Sequence, residues 1–170
     1  MRNENRGVRN SAARSLRVAL VAVLAMLPSI ASAQTSAAQP DERAAVLAVV
    51  QRLWDGMKAR DTAMVRSVFD SSAVLSRVAT RGDDARVQLT PVSGFIAALG
   101  RATEPWNETM YAPEVRIDGP LASVWTEYDF HLGDKFSHCG VDAFHLLKTS
   151  AGWKVVALSD TARREGCPKR

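Results

Sequence analysis

The acidic residues and histidines that could carry out chemistry are concentrated between residues 125 and 144. Polar and apolar side chains alternate along this stretch, which is typical of β-strands with one polar face. The residues predicted on or beside that face are Trp125, Glu127, Asp129, His131, His138, Asp142 and Phe144. An imidazole oriented by a carboxylate is suited to proton transfer or to binding a polar group, so this face is the candidate site.

The register of the predicted hairpin decides which of these side chains meet. A two-residue Gly-Asp turn at 133–134 would pair Leu132 with Lys135. Asp129 then faces His138, and we expect this carboxylate to raise the pKa of the imidazole above its ordinary value of about 6.5. A shift of one residue in the register would move the two side chains to opposite faces.

Three functional classes are compatible with this polar face. The first is a non-catalytic domain that binds a small, partly apolar molecule. The second is an enzyme of the dehydratase or isomerase type, in which His138 is the general base and Asp129 or Asp142 orients it. The third is an interaction module that forms a homodimer through an open sheet face, and a simply solvated face remains a further alternative.

Large aromatic side chains could supply the wall of a binding site, although such residues are also common in an ordinary core. The predicted ligand-binding residues are Trp54, Phe95, Trp125 and Phe144, together with the polar Glu127.

A metal site is the weaker interpretation of the histidines. His131, His138 and Asp129 could form a set of two histidines and one carboxylate, but their spacing matches no recognised metal motif. No phosphate loop, dinucleotide fingerprint or nucleophile elbow occurs either, so we predict neither a metal nor a cofactor.

The distribution of charge argues against a nucleic-acid partner. The 170-residue chain has a formal net charge of +4. Residues 1–33 contain five arginines and one acidic residue, and the remaining residues 34–170 carry 17 basic and 17 acidic side chains. The excess positive charge therefore belongs to the N-terminal segment and not to a basic binding domain.

That N-terminal segment has the pattern of a secretory signal peptide. An Arg-rich start precedes an apolar run from Val18 to Leu27, and Ala31-Ser32-Ala33 supplies the small residues of a cleavage site. The apolar run is too short to span a bilayer, which needs about 20 residues, so an uncleaved anchor is disfavoured. We expect a protein exported to the periplasm or the medium, with no membrane association after cleavage.

Hydrophobic periodicity predicts three helices and then four antiparallel strands, with one earlier strand among the helices. The helices are expected over 41–58, from Asp61 onward and, after Thr90-Pro91 as cap and first helical residue, up to Gly100. The strands are expected at 73–79, 106–117, 121–132, 136–148 and 153–161, with a polar loop at 81–84. This order predicts an α+β fold in which the helices cover one curved, mainly antiparallel sheet.

Two segments of the chain resemble the nuclear transport factor 2-like superfamily, whose exported bacterial members include lumazine-binding-like and polyketide-cyclase-like (SnoaL-like) domains. They are VLAVVQRLWDGMKARDTAMVRSVFDSSAVL and YDFHLGDKFSHCGVDAFHLLKTSAGWKVVALSDT. The resemblance implies a cone-shaped domain over 41–162, after a spacer at 34–40 and before a tail at 163–170. The catalytic residues of the superfamily's isomerases do not carry over, since Val74–Val78 contains no acid and Leu53 has no hydroxyl.

Cys139 and Cys167 are the only cysteines of the chain. Export to an oxidising compartment and an even count favour a disulfide between them, which would pin the tail to the sheet. We expect Cys139 to lie near Ala162, and Gly166 would give the tail the freedom to fold back. Two unpaired thiols are the alternative.

The exported protein is expected to begin at Gln34, because cleavage should follow Ala33. N-terminal sequencing of the exported protein checks this. Material that begins at Met1, or that retains the Val18–Leu27 run, would contradict the prediction.

Overall fold

The structure is a computed structural model that describes residues 38–81 and 84–168. The predicted signal peptide and its cleavage site lie outside these residues. The helices are α1 (Ala38–Ala59), α2 (Thr62–Val68) and α3 (Val92–Arg101). The strands are β1 (Phe69–Arg81), β2 (Asp84–Pro91), β3 (Trp106–Asp118), β4 (Leu121–Leu132), β5 (Lys135–Thr149) and β6 (Gly152–Thr161).

The six strands form one sheet in the order β2-β1-β6-β5-β4-β3. Strand β1 pairs with β6 in parallel, and the other neighbours are antiparallel. The predicted α+β fold, with three helices on a mainly antiparallel sheet, is confirmed. Strand β2 was not predicted: its residues from Asp84 to Leu89 are all exposed, so their sequence shows no alternation of buried and exposed positions.

Helix α1 begins at Ala38, three residues before the expected start and inside the expected spacer at 34–40, and the other two helices form close to where the apolar periodicity places them. Helix α1 buries one face, which includes Val50 and Leu53, against the sheet. The carboxylate of Asp61 accepts hydrogen bonds from two backbone N–H groups at the start of α2. The predicted start of α3 was one residue early, because Pro91 itself is the cap and Val92 is the first helical residue.

The core lies between the helices and the face of the sheet that they cover. Phe144, Leu146 and Val155 of the central strands are completely buried there. Burying a side chain of this size contributes about 1.5–3 kcal/mol each, so this layer holds the helices on the sheet.

Register shifts interrupt the pairing of β1 with β6, β3 with β4, β4 with β5 and β5 with β6, and the last two affect the predicted site. Between β4 and β5 the pairing moves by one residue beyond the hairpin, and between β5 and β6 it moves by one residue beyond Leu146. The extra residues are Ser137 and Val156, each of which is left without a partner in the register.

The shift between β4 and β5 overturns the predicted register. Asp129 pairs with Cys139, and His138 pairs with Phe130. The expected Asp129–His138 pair is therefore wrong: the turn has the predicted length, but the bulge at Ser137 moves the rest of β5 by one position and turns His138 to the other face.

The disulfide prediction is confirmed. Cys139 and Cys167 are joined, with their Cα atoms 5.9 Å apart. The backbone of Cys139 also exchanges two hydrogen bonds of 2.9 Å with Arg163, where Ala162 was expected. Arg163 takes the place expected for Ala162 because the extra residue Val156 shifts the end of β6 by one position relative to β5.

Gly140 is needed for a close approach between strands. It pairs with Tyr128 of β4, whose hydroxyl donates a 2.8 Å hydrogen bond to the carbonyl of Thr161 at the end of β6. The Tyr128 side chain thus crosses β5 above Gly140. A Cβ at position 140 would lie 1.8 Å from the Thr161 oxygen and 2.8 Å from the Tyr128 ring.

Replacement of Gly140 by alanine should destabilise the protein by at least about 2 kcal/mol, because strands β4 and β6 must both move. Urea unfolding followed by circular dichroism measures the loss. Gly94→Ala in α3 is the matched control: its Cβ would meet nothing closer than 3.9 Å. It should leave the free energy of unfolding equal or raise it by up to about 1 kcal/mol. Equal losses in the two variants would contradict this account.

Candidate functional site

A cavity of about 360 Å³ lies between the helices and the face of the sheet that they cover. One part of its wall is apolar and is formed by Leu53, Trp54, Met57, Leu75, Phe95, Trp106, Phe130, Leu132 and Leu158. The other part is polar and is formed by Ser76, Arg77, Gln88, Thr90, Glu108, Tyr128, His138, Asp142 and Asp160. The cavity can therefore hold a molecule with one apolar and one polar end.

A row of aromatic rings builds part of the apolar wall. Phe95 of α3 lies 5.7 Å from Trp106 of β3, measured between ring centroids, and Trp106 lies 6.2 Å from Phe130 of β4. The row continues to β5, where the His138 ring lies 4.8 Å from Phe130. These spacings are those of favourable aromatic pairs, so the wall is held in place by its own contacts.

An ion pair between neighbouring parallel strands forms one side of the polar part. Arg77 of β1 is directly opposite Asp160 of β6. The guanidinium donates from Nε to Asp160 Oδ2 at 2.7 Å, and a terminal nitrogen lies at 2.7 Å from the same oxygen. The Tyr128 hydroxyl also approaches this oxygen, at 3.4 Å. The positive charge of Arg77 is thus already balanced by Asp160.

The carboxyl groups of Glu108 and Asp142 interact with each other inside the cavity. Burial raises the pKa of Asp142 to about 7, against the hydrogen bond from Glu108, which lowers it. Burial, and then the nearby charge of Asp142, raise the pKa of Glu108 well above its ordinary value. Asp160 adds to both increases, and Arg77 opposes them. We conclude that the two carboxyl groups share a proton at neutral pH.

His138 has the opposite electrostatic environment from the one predicted. Burial lowers the pKa of its imidazole, and the positive charges of Arg77 and Arg164 lower it further, against the effect of Asp160. The expected increase in this pKa is therefore wrong, because its supposed cause, Asp129, is on the other face of the sheet. The ring is neutral at neutral pH, and its Nδ1 lies 3.0 Å from the Ser137 hydroxyl.

The predicted ligand-binding residues divide between the two faces of the sheet. Trp54 and Phe95 line the cavity. Trp125, which is 55% exposed, and Glu127 alternate with buried residues of β4 and lie on the opposite face. Phe144 is completely buried in the core and does not line the cavity.

The three predicted catalytic residues divide in the same way. His138 and Asp142 line the cavity, whereas Asp129 does not. Asp129 is nearly buried on the other side, and its Oδ1 has no hydrogen-bond partner among residues 38–81 and 84–168.

Sequence analysis missed Arg77, Glu108, Tyr128 and Asp160. Glu108 could have been found, because it lies two residues after Trp106 and therefore on the same face of the strand. Asp160 could not, because the bulge at Val156 decides which way it faces.

Within 38–81 and 84–168, no group of three or more His, Cys, Asp or Glu side chains is arranged to hold a metal ion. No helix in the same part of the chain is long and apolar enough to cross a membrane.

Comparison with known proteins identifies relatives of this fold. The profile of a family described as "Putative lumazine-binding" matches residues 41–159. No curated protein matches the sequence.

Solved structures with the same fold come from several bacteria. A nuclear transport factor 2-like protein of unknown function from Shewanella baltica has a TM-score of 0.60 and 23% identity, over 77% of this chain and 99% of that one. A protein of unknown function from Mycobacterium tuberculosis has a TM-score of 0.63 and 15% identity, over 76% of each chain. A nuclear transport factor 2-like protein with a cystatin-like fold from Novosphingobium aromaticivorans has a TM-score of 0.62 and 11% identity, over 76% and 86%.

The raised pKa of Asp142 predicts how stability varies with pH. In the folded state the pKa of Asp142 is about 7, above its ordinary value of 3.8, so the folded protein binds this proton more tightly than the unfolded chain. The favourable contribution of this proton is complete at low pH and is lost as pH rises through about 7. Asp142→Asn should remove the loss, and its stability relative to wild type should increase by about 2–4 kcal/mol between pH 4 and pH 8.

Urea unfolding of both proteins across this pH range tests the prediction. The exposed Asp118→Asn is the control and should run parallel to wild type. If Asp142→Asn also runs parallel to wild type, Asp142 does not hold a proton in the fold.

Proposed function

The chain belongs to this "Putative lumazine-binding" family of nuclear transport factor 2-like domains, and on that premise we propose that it binds a small, partly apolar molecule in its cavity. One observation carries the proposal: the cavity joins an aromatic wall to a cluster of ionisable groups, of which Asp142 is buried and Glu108 and His138 are partly buried. A purely structural core rarely buries such groups, because each costs free energy when it leaves water.

The size of the cavity limits the ligand. Ligand pockets typically have volumes of about 300–1,000 Å³, and this cavity of about 360 Å³ is at the lower end of that range. A compact ring system with one polar edge fits such a space, and a peptide or a long lipid does not.

Export of the protein is part of this proposal. The signal-peptide pattern of residues 1–33 supports it, and so does the disulfide between Cys139 and Cys167. Disulfides persist in oxidising compartments such as the periplasm. The ligand is then a molecule that the protein meets outside the cytoplasm.

Proton-transfer catalysis is a second candidate function. His138 is held neutral within the cavity and can accept a proton there at neutral pH. Asp142 lines the same cavity, and burial raises its pKa to about 7. An isomerase or dehydratase that uses this pair would show a rate that depends on both groups, whereas a binder would show no turnover.

A homodimer is a third possibility, and the opposite face of the sheet favours it. Leu121, Trp125 and Leu147 on that face are between 41% and 55% exposed. Such exposed apolar side chains are typical of surfaces that bind a partner. This use of the outer face is compatible with ligand binding on the inner one.

Filling the cavity should abolish ligand binding. We expect native mass spectrometry of the purified protein to show a bound small molecule, and Leu158→Trp to reduce its occupancy at least about tenfold by occupying the space. Val87→Trp on the exposed strand β2 is the control for the added indole and should leave the occupancy unchanged.

Two results would contradict the proposal. One is equal occupancy in the two tryptophan variants, which would place the ligand elsewhere. The other is a wild-type protein without a ligand that also binds no member of a fragment library.

A further inference from the structure

The carboxyl pair of Glu108 and Asp142 lacks hydrogen-bond donors. Both groups line the cavity, and Asp142 is only 3% exposed. Among residues 38–81 and 84–168, their one hydrogen bond is the bond between them. Buried carboxylates normally accept bonds from several N–H or O–H groups. The fold thus places a buried and a partly buried acceptor group together and supplies no donors for them other than a shared proton.

The neighbouring charged and polar groups are already engaged. Arg77 of β1 is paired with Asp160 of β6 at 2.7 Å, and the Tyr128 hydroxyl of β4 donates to the carbonyl of Thr161. His138 of β5 faces the same space and is neutral for the reasons given above.

The remaining elements add no positive charge to the wall. The lining residues from α1 and α3 are apolar, and those from β2 are the uncharged Gln88 and Thr90. Arg164 of the tail affects His138 but is not among the residues that line the cavity. The described wall therefore carries three carboxyl groups and one guanidinium.

We propose that the ligand is a small organic cation, a protonated amine whose ammonium group lies between Glu108 and Asp142 and whose apolar body packs on the aromatic row. This inference rests on the proposed function, since it names the chemical class of the molecule that the cavity binds.

The chemistry of an ammonium group matches what the carboxyl pair lacks. Its N–H groups can donate to both carboxyl groups at once, in charge-assisted hydrogen bonds. The cation replaces the shared proton, which passes to solvent, so that one positive charge enters as one leaves. The faces of Trp106 and Phe130 also attract a cation. A carboxylate ligand would instead meet the like charges of Glu108 and Asp142.

Three compounds of similar size and different charge test this inference. They are 2-phenylethylamine, 2-phenylethanol and 3-phenylpropanoate, titrated into the purified protein by calorimetry at pH 7. We expect the amine to bind at least about tenfold more tightly than the alcohol, a difference typical of one charge-assisted hydrogen bond, and the carboxylate to bind most weakly. In buffers with different heats of ionisation, the amine should release protons and the alcohol should not.

Glu108→Gln removes one of the two carboxyl groups and keeps the shape of the side chain. It should weaken binding of the amine at least about tenfold and change binding of the alcohol by less than about threefold. Glu114→Gln, which is exposed on the same strand, should change neither. Melting curves establish that each variant is folded, and Asp142→Asn replaces Glu108→Gln if the latter does not fold.

The outcomes separate this inference from the proposed function. Equal affinity for the amine and the alcohol would overturn the inference that the ligand is a cation. The cavity would then be a site for neutral molecules. Tightest binding of the carboxylate also overturns it, and places the polar contact at Arg77. If none of the three binds, the cation inference fails, and the occupancy of the tryptophan variants decides the proposed function independently.

Discussion

The orientation of the acidic side chains in the candidate site depends on irregular pairing of the strands. The bulge at Val156 moves the pairing of β6 with β5 by one position, and a further shift in β3 lies between Tyr111 and Glu114. Because side chains alternate along a strand, each shift exchanges the faces of the residues beyond it. Asp142 lies on the same face as the buried Phe144 by ordinary alternation. Without the bulge at Val156, Asp160 would point to the outer face and the cavity would lose one of its three carboxyl groups. A local irregularity of the backbone thus decides which chemistry the interior can hold.

The same region is held in place by interactions that cross the strands. Tyr128 reaches over Gly140 to the end of β6, and the disulfide ties Cys139 of β5 to the tail. Arg77 connects β1 to Asp160 on β6. Buried like charges tend to push a structure apart, and these connections oppose that tendency. The cavity is therefore a preorganised space whose unfavourable carboxyl pair is retained by its surroundings.

The architecture was largely predictable from the sequence, and the site only in part. Regularly spaced apolar residues indicated α1 and the four strands of the meander, because an element that buries one face carries apolar residues at regular intervals. The sequence of strand β2 shows no such spacing of apolar residues, because both faces of the strand are exposed over most of its length. The turn at 133–134 was predicted with the correct length, but no residue type signals the bulge at Ser137 that follows it. Hence the expected pairing of His138 with Asp129 was wrong, and the assignment of Asp142 to the site stays a prediction.

The shared proton of the carboxyl pair is the claim on which the chemistry depends, and infrared spectroscopy observes it directly. A protonated carboxyl group absorbs separately from an ionised one. We predict that the wild-type protein at pH 7 shows the band of a protonated carboxyl, and that the double variant Glu108→Gln/Asp142→Asn lacks it. A wild-type spectrum with only ionised carboxylates at that pH would contradict the account.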